Sequence, residues 1–246
     1  MKRRTITLTE GKIASSLVRM VWPMIFGMLG MVVFNLADSY FIGQVGVKEL
    51  AALGFSFPVV MLVTSISLGM GIGTASLISR SIGGTDRLTV RRYATSALFL
   101  GVMIILIFIA VGQLTIRPLF SALGAEGEML ELIHEYMSIW YWGMIFVVIP
   151  MMGNNIIRAT GDTFTPGMIM LISASVNIVF DPVLIFGLGP FPALSLQGAA
   201  LATVFGRATG MVMTLFILIK RDKLLTLDLP SRRDVFRIWG KVLYIA

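Results

Sequence analysis

Six long apolar runs alternate with short polar breaks along the 246 residues: near 18–42, 53–79, 94–117, 137–158, 166–188 and 198–220. A helix needs about 20 apolar residues to cross a bilayer, so each run predicts one transmembrane helix. The breaks carry helix-ending chemistry: Gly83-Gly84-Thr85-Asp86, Gly124 with the acidic stretch after it, Gly161-Asp162, and Gly187 through Pro192. Lys2, Arg3 and Arg4 precede the first run as in a signal peptide. That run is too long for a signal core and lacks a small-residue cleavage site, so it reads as a retained helix. The predicted organisation is a tail over 1–17, a six-helix membrane lobe over 18–220, and a linker with the start of a truncated seventh helix over 221–246.

Composition agrees with an all-α integral membrane protein: 57% of residues are hydrophobic, 13% are charged and the mean hydropathy is +0.89. The net charge of +7 does not point to nucleic acid, because the basic residues flank apolar runs and so suit a membrane surface. There is no cysteine, which removes disulfides, thiolate metal sites and cysteine nucleophiles. The lone histidine, His134, reads as part of a Glu-rich loop.

Seventeen of the 20 Lys and Arg residues fall on one side of the proposed spans, against Lys48 and Arg117 on the other and Arg207 inside the sixth run. The positive-inside rule then places the N-terminus and residue 220 onward in the cytoplasm, in a plasma (inner) membrane. Trp140, Tyr141 and Trp142 on the outer side, with Trp22 and Tyr93 on the inner, suit interfacial belts.

Two carboxylates sit inside apolar runs: Asp38 in FNLADSYFIG and Asp181 in VNIVFDPVLIFG. An acid at the centre of a membrane helix costs about 2.5 to 3.5 kcal/mol on insertion scales, so such acids mark partners, cavities or ion paths. Counting helical rise from the expected outer ends puts Asp38, Asp181 and Thr203 at about 6, 10 and 8 Å depth. Asn35 and Asn177 precede the two acids by three and four residues, which suggests one cluster of Asn35, Asp38, Asn177, Asp181 and Thr203. Two carboxylates close together in a poorly hydrated site favour holding a proton between them. The same oxygens also suit Na+, a hard cation. The bland alternative is that each polar group satisfies its own interhelical hydrogen bond.

Arg207 lies one turn from Thr203 on the same face, either as a counter-charge to the acids or as a structural partner of backbone carbonyls. Its neighbours Gly206 and Gly210 have the spacing of close helix packing. Gly69, Gly71 and Gly73 do not form a nucleotide loop, since no G-K-[ST] follows them. Pro23 removes a backbone hydrogen bond in the first helix and is a candidate hinge.

At the level of motifs the chain resembles the multidrug and toxic compound extrusion (MATE) family. The resemblance is carried, in order, by FNLADSYFIGQVG, GIGTASLISRSIGGTD, LGAEGEMLELIHEYM, NNIIRATGDTFTP, NIVFDP and GAALAT. It implies a twelve-helix antiporter whose two six-helix lobes enclose a cavity and alternate in access, with this chain as the N-terminal lobe. It also implies an acidic cation site whose positions map onto Asp38, Asn177, Asp181 and Thr203.

The expected function is export of small organic cations or amphipathic compounds against inward H+ or Na+, with no cofactor and no metal. The partners expected are the lipid bilayer and either a missing C-terminal lobe or a second copy, because VFRIWGKVLYIA is too short to cross a membrane. A lipid-precursor flippase of the same superfamily and a non-transporting assembly subunit are the alternatives. An intramembrane enzyme is disfavoured, as Ser173 and Ser175 have no His or Lys at their depth.

Overall fold

A computed structural model describes residues 13–82, 84, 86–226 and 232–245, with side chains throughout except at 13–20, 23, 232 and 233. The described residues form helices α1 (Ile13–Val45), α2 (Val47–Ile82), α3 (Arg87–Ala122), α4 (Gly127–Gly143), α5 (Ile145–Ala159), α6 (Phe164–Phe186) and α7 (Ser195–Phe216). A π-helical turn, Ile217–Arg221, extends α7, and α8 (Arg232–Ile245) follows. No strand occurs among the described residues. Among the described residues five helices are long and apolar enough to cross a membrane, and α4 with α5, bent by 42° at their junction, makes a sixth if taken as one broken span.

The predicted fourth run, 137–158, starts too late. Its helix begins at Gly127, so His134 lies in α4 rather than in a loop. Glu128, Glu131 and Glu135 gave the segment a polar look, but all three are exposed on one side of an amphipathic helix. Glu128 pairs with Lys48, and Glu131 takes two bonds of 2.8 and 2.9 Å from Arg117. The opposite side buries Ile133, Tyr136, Met137 and Trp140. The aromatic belt needs a matching correction. Only Trp142 of the outer trio is exposed, while Trp140 and Tyr141 are core residues. Tyr141 fits because Gly112 of α3 leaves room for its ring; a Cβ there would meet the ring at 2.3 Å.

At the two ends of the chain, α1 is already helical from Ile13, inside the expected 1–17 tail. It runs unbroken through residue 23, while the side chain of Pro23, the candidate hinge, lies outside the described residues. The expected start of a seventh helix is α8, which packs on α2 and α3 through Ile238 and Val242. Trp239 Nε1 donates to the Ser96 carbonyl at 3.0 Å. Before α3, Asp86 accepts from the Thr89 amide at 3.4 Å and from its hydroxyl at 2.5 Å. That cap holds the Asp86 carboxyl below the usual carboxylate range.

Helix α6 packs between α1 and α7, and small residues set both spacings. A Cβ on Gly27 of α1 would lie 3.2 Å from the Gly167 Cα. A Cβ on Gly206 of α7 would lie 2.8 Å from the Ser173 carbonyl oxygen and 2.9 Å from the Asn177 Cβ. The Ser173 hydroxyl completes the contact by donating to the Gly206 carbonyl at 2.5 Å. Lipid offers no hydrophobic drive for helix association, so close backbone approach and interhelical hydrogen bonds of this kind supply it. The packing expected of Gly206 and Gly210 is therefore what α6 and α7 display, with Gly210 set against the Ser173 side chain.

A second polar cluster ties the start of α6 to the end of α7. Asp162 accepts from the Thr165 amide at 3.0 Å and from its hydroxyl at 2.6 Å. Arg221, presented by the π-helical turn, donates to Asp162 at 2.7 Å, to Thr165 at 2.7 Å and to Asp222 at 2.9 Å. Asp162 and Asp222 are buried. Removing the Asp162 carboxylate takes one of two anions from Arg221 and leaves the Thr165 amide and hydroxyl without their acceptor, while Asp222 still pairs with Arg221. A buried polar group left unmet costs about 1 to 3 kcal/mol. Asp162→Ala is therefore expected to lower the thermal unfolding temperature of the purified protein in detergent by several degrees. An unchanged unfolding temperature would contradict a stabilising role for the cluster.

Candidate functional site

Three helices each contribute a pair of residues one turn apart. On α1 the pair is Phe34 and Asp38, on α6 Asn177 and Asp181, and on α7 Thr203 and Arg207. The spacing of four places each pair on one face of its helix, and the packing of α1 and α7 on α6 turns those faces together. Asp38 lies seven residues before the end of α1, Asp181 five before the end of α6, and Thr203 eight after the start of α7. At 1.5 Å per residue these are depths of about 10, 8 and 12 Å from the same end of the bundle.

The contacts form a chain from one acid toward the cavity. The Asn177 amide nitrogen lies 3.4 Å from Asp181 Oδ1 and 3.4 Å from the Thr203 hydroxyl. Asp38 and Asp181 lie within each other's electrostatic field, and Arg207 lies within that of Asp38. The Arg207 guanidinium also sits over the Phe34 ring, 5.5 Å from its centroid, a cation–π placement that orients it without neutralising it. Asp38, Asn177, Asp181 and Thr203 are all buried.

Of the five residues expected to cluster, Asn35 stands apart. It is exposed, and its amide donates back to the Met31 carbonyl at 3.0 Å. A step of three residues leaves it about 60° around α1 from Asp38, whereas Phe34, four residues away, takes the inward place. Tyr136 is the residue that sequence reading missed. It is buried on α4, within electrostatic reach of Asp38, Asp181 and Arg207. An amphipathic reading of 127–143 would have found it, because it shares a face with Ile133, Met137 and Trp140.

Three oxygens in this cluster, Asp38 Oδ1, Asn177 Oδ1 and Asp181 Oδ2, are buried with no hydrogen-bond donor among the described residues. Buried acceptors are almost always satisfied, so three such atoms in one layer suit a proton or a small hard cation. Pro182 follows Asp181 directly and has no amide hydrogen to offer the carbonyl four residues before it. The backbone is thus also richer in acceptors than in donors at this level.

Beside the cluster lies a cavity of about 230 Å³. Asn177, Thr203 and Arg207 form part of its wall, so Asn177, which contacts Asp181, also faces the cavity. The rest of the wall combines apolar groups, including Met31, Met151 and Met170, with Asn154, Asn155 and Arg158. Met151 lines this cavity, while its neighbour Met152 is fully buried in the core.

A helical membrane lobe with intramembrane acids next to a cavity of this size is the architecture of membrane transporters. Comparison with known proteins gives the family. The MatE family model matches residues 23–183. The FAD transporter of Shewanella oneidensis is 39% identical over 242 residues, covering 97% of this chain and 53% of that protein. The probable multidrug resistance protein NorM of Thermotoga maritima is 27% identical, covering 86% of this chain and 46% of that protein. Among solved structures, a MOP superfamily transporter from Pyrococcus furiosus superposes with a TM-score of 0.87 at 31% identity, covering 100% of this chain and 54% of that one. The chain belongs to the MATE family, whose members are transporters and not enzymes. It spans about half the length of the relatives it matches.

Proposed function

We propose that the intact protein is an ion-coupled antiporter of small organic solutes. Asp38, Asp181, Asn177 and Thr203 hold the coupling ion, H+ or Na+, and the neighbouring cavity takes the solute. The observation that carries this reading is the shared wall: Asn177 contacts Asp181 on its own helix and Thr203 on α7, and Asn177 and Thr203 both line the cavity. An ion that pulls these side chains toward the acids reshapes the surface a solute meets, and a solute does the reverse. Such reciprocal preference is what couples two fluxes. A second lobe, or a second copy, completes the carrier, and the charge distribution favours a cytoplasmic N-terminus in a plasma membrane.

The charge of the solute favours a second reading over the cationic one. Among the described residues, the charged groups in the cavity wall are Arg158 and Arg207, with no Asp or Glu. A relative named as an FAD transporter and a structural neighbour whose binding pocket is described as being of reverse polarity support an anionic amphiphile, such as a flavin dinucleotide.

Solute flux through the full-length protein in liposomes tests the antiport reading. Flux against a concentration gradient is expected when an opposing H+ or Na+ gradient is imposed. Flux indifferent to both gradients would contradict it.

A further inference from the structure

Arg158 occupies the last turn of α5. A cation there is favoured by the helix dipole, which explains the charge but not its surroundings. Its Nε is buried without a partner among the described residues. Its two terminal nitrogens make only long contacts, 3.5 Å to Asn155 Oδ1 and 3.5 Å to the Met170 sulfur. No ion pair to Arg158 occurs among the described residues. This is an unusual state for a guanidinium, whose five donors match carboxylate and phosphate geometry.

Arg221 shows the contrast within the same protein. That side chain is also partly buried, and it is fully engaged by two carboxylates and a hydroxyl. Arg158 instead faces the cavity, and Arg207 faces the same cavity from α7. Arg207 has Asp38 as a distant counter-charge and the Phe34 ring beneath it, and neither occupies its donors. The cavity wall that carries both cations also carries Met28, Met31, Met151 and Met170, and methionine adapts to flat organic bodies.

We infer that Arg158 and Arg207 form an oxyanion-binding subsite that holds the phosphate or carboxylate of an amphipathic organic anion, whose apolar body lies against Met31, Met151 and Met170. The anion supplies the acceptors that Arg158 lacks, in the charge-assisted geometry that makes Arg–oxyanion contacts strong. Asn155, bonded to the Met151 carbonyl at 2.9 Å and touching Arg158, steadies the guanidinium from behind. The inference rests on the cavity being the solute site, but not on which ion drives transport.

Binding of four naphthalene probes to the full-length protein in nanodiscs, read by probe fluorescence, is the test. They are naphthyl phosphate, naphthoate, naphthylmethanol and naphthylmethylammonium, which share one apolar body and differ in charge. Both anions are expected to bind at least about tenfold more tightly than the alcohol or the ammonium. Tighter binding of naphthyl phosphate than of naphthoate assigns the subsite to phosphates, and equal binding assigns it to oxyanions in general.

Arg158→Gln and Arg207→Gln are each expected to weaken both anions by about tenfold while leaving the alcohol unchanged, and Arg158→Lys to lose less because it keeps the charge without the fork. Inorganic phosphate should displace naphthyl phosphate from the unsubstituted protein, a reading that needs no variant to fold. Preference for the ammonium, equal binding of all four probes, or no displacement by phosphate would overturn the inference. Anion binding that persists in Asp38→Asn while gradient-driven flux is lost keeps this subsite separate from the coupling site. Flux that persists without anion binding removes the subsite and leaves the antiport reading standing.

Discussion

Asp38→Asn and Asp181→Asn are each expected to abolish gradient-driven solute transport while leaving the protein folded in the membrane. Asparagine keeps the size of the side chain and removes its capacity to ionise, so the cluster loses its means of exchanging a proton or attracting a cation. The two acids lie in each other's field, and three of the cluster's oxygens have no donor, so each charge belongs to one shared site. Loss of about 1.4 kcal/mol of ion binding already weakens affinity tenfold, and a site that no longer ionises loses more, so flux under an imposed gradient should fall at least about tenfold. Stability should hold or rise, because an isolated acid in a membrane interior is expensive to keep charged. Liposome flux assays alongside thermal unfolding separate the two effects. Full gradient-driven flux in both variants would remove these residues from the coupling site.

The second large effect is structural and lies between α6 and α7. A Cβ on Gly198 would come within 2.4 Å of the Leu184 carbonyl oxygen and 2.8 Å of the Ile185 nitrogen, both backbone atoms that no rotamer change can move. The Leu184 carbonyl already accepts from the Leu194 amide at 3.0 Å, which fixes the turn between α6 and α7. Gly198→Ala must therefore push α7 away from α6, and overpacking of this type costs about 1 to 3 kcal/mol or more. Gly206→Val is expected to do the same one layer deeper, against the Ser173 carbonyl and the Asn177 Cβ. Both should lower the unfolding temperature in detergent by several degrees. Gly206→Val should also weaken ion coupling, because it displaces Asn177 from Thr203. Wild-type unfolding of both variants would contradict the tight α6–α7 contact.

Much of this fold was legible because membrane helices are long and apolar, and the runs around α1, α2, α3, α6 and α7 announced themselves by length. The start of the fourth span did not. Glu128, Glu131 and Glu135 diluted its hydropathy, and only an amphipathic reading shows that the polar residues take one side of α4 and Tyr136 and Trp140 the other. For the site, helical spacing brought Asn177 and Asp181 to one face and placed Thr203 at their level. It failed for Asn35, where a step of three residues points away and a local bond to Met31 satisfies the amide. The cavity was not legible in the sequence. Arg158 counts as a loop cation by position, and only the packing of α5 against α2 and α7 turns it inward.

The acids also had an innocent reading as separate interhelical hydrogen bonders. The Asn177–Thr203 bond is of that kind, but the same Asn177 amide also reaches Asp181, and buried oxygens of Asp38, Asn177 and Asp181 have no donor among the described residues. Arg207 joins the cluster to the cavity: it lies in the field of Asp38, over Phe34, and in the cavity wall. On the proposed reading, a charge change at Asp38 reaches the cavity through this one side chain rather than through a long relay.

If Asp38 and Asp181 bind the coupling ion, ion movement depends on both. The most direct measurement is ion counterflow through the full-length protein in sealed liposomes, with a solute gradient as the only driving force and H+ and Na+ followed separately. The wild-type protein is expected to move one of the two ions opposite to the solute, and Asp38→Asn and Asp181→Asn to move neither. Solute flux with no ion counterflow in the wild type, or counterflow undiminished in both variants, would contradict the account.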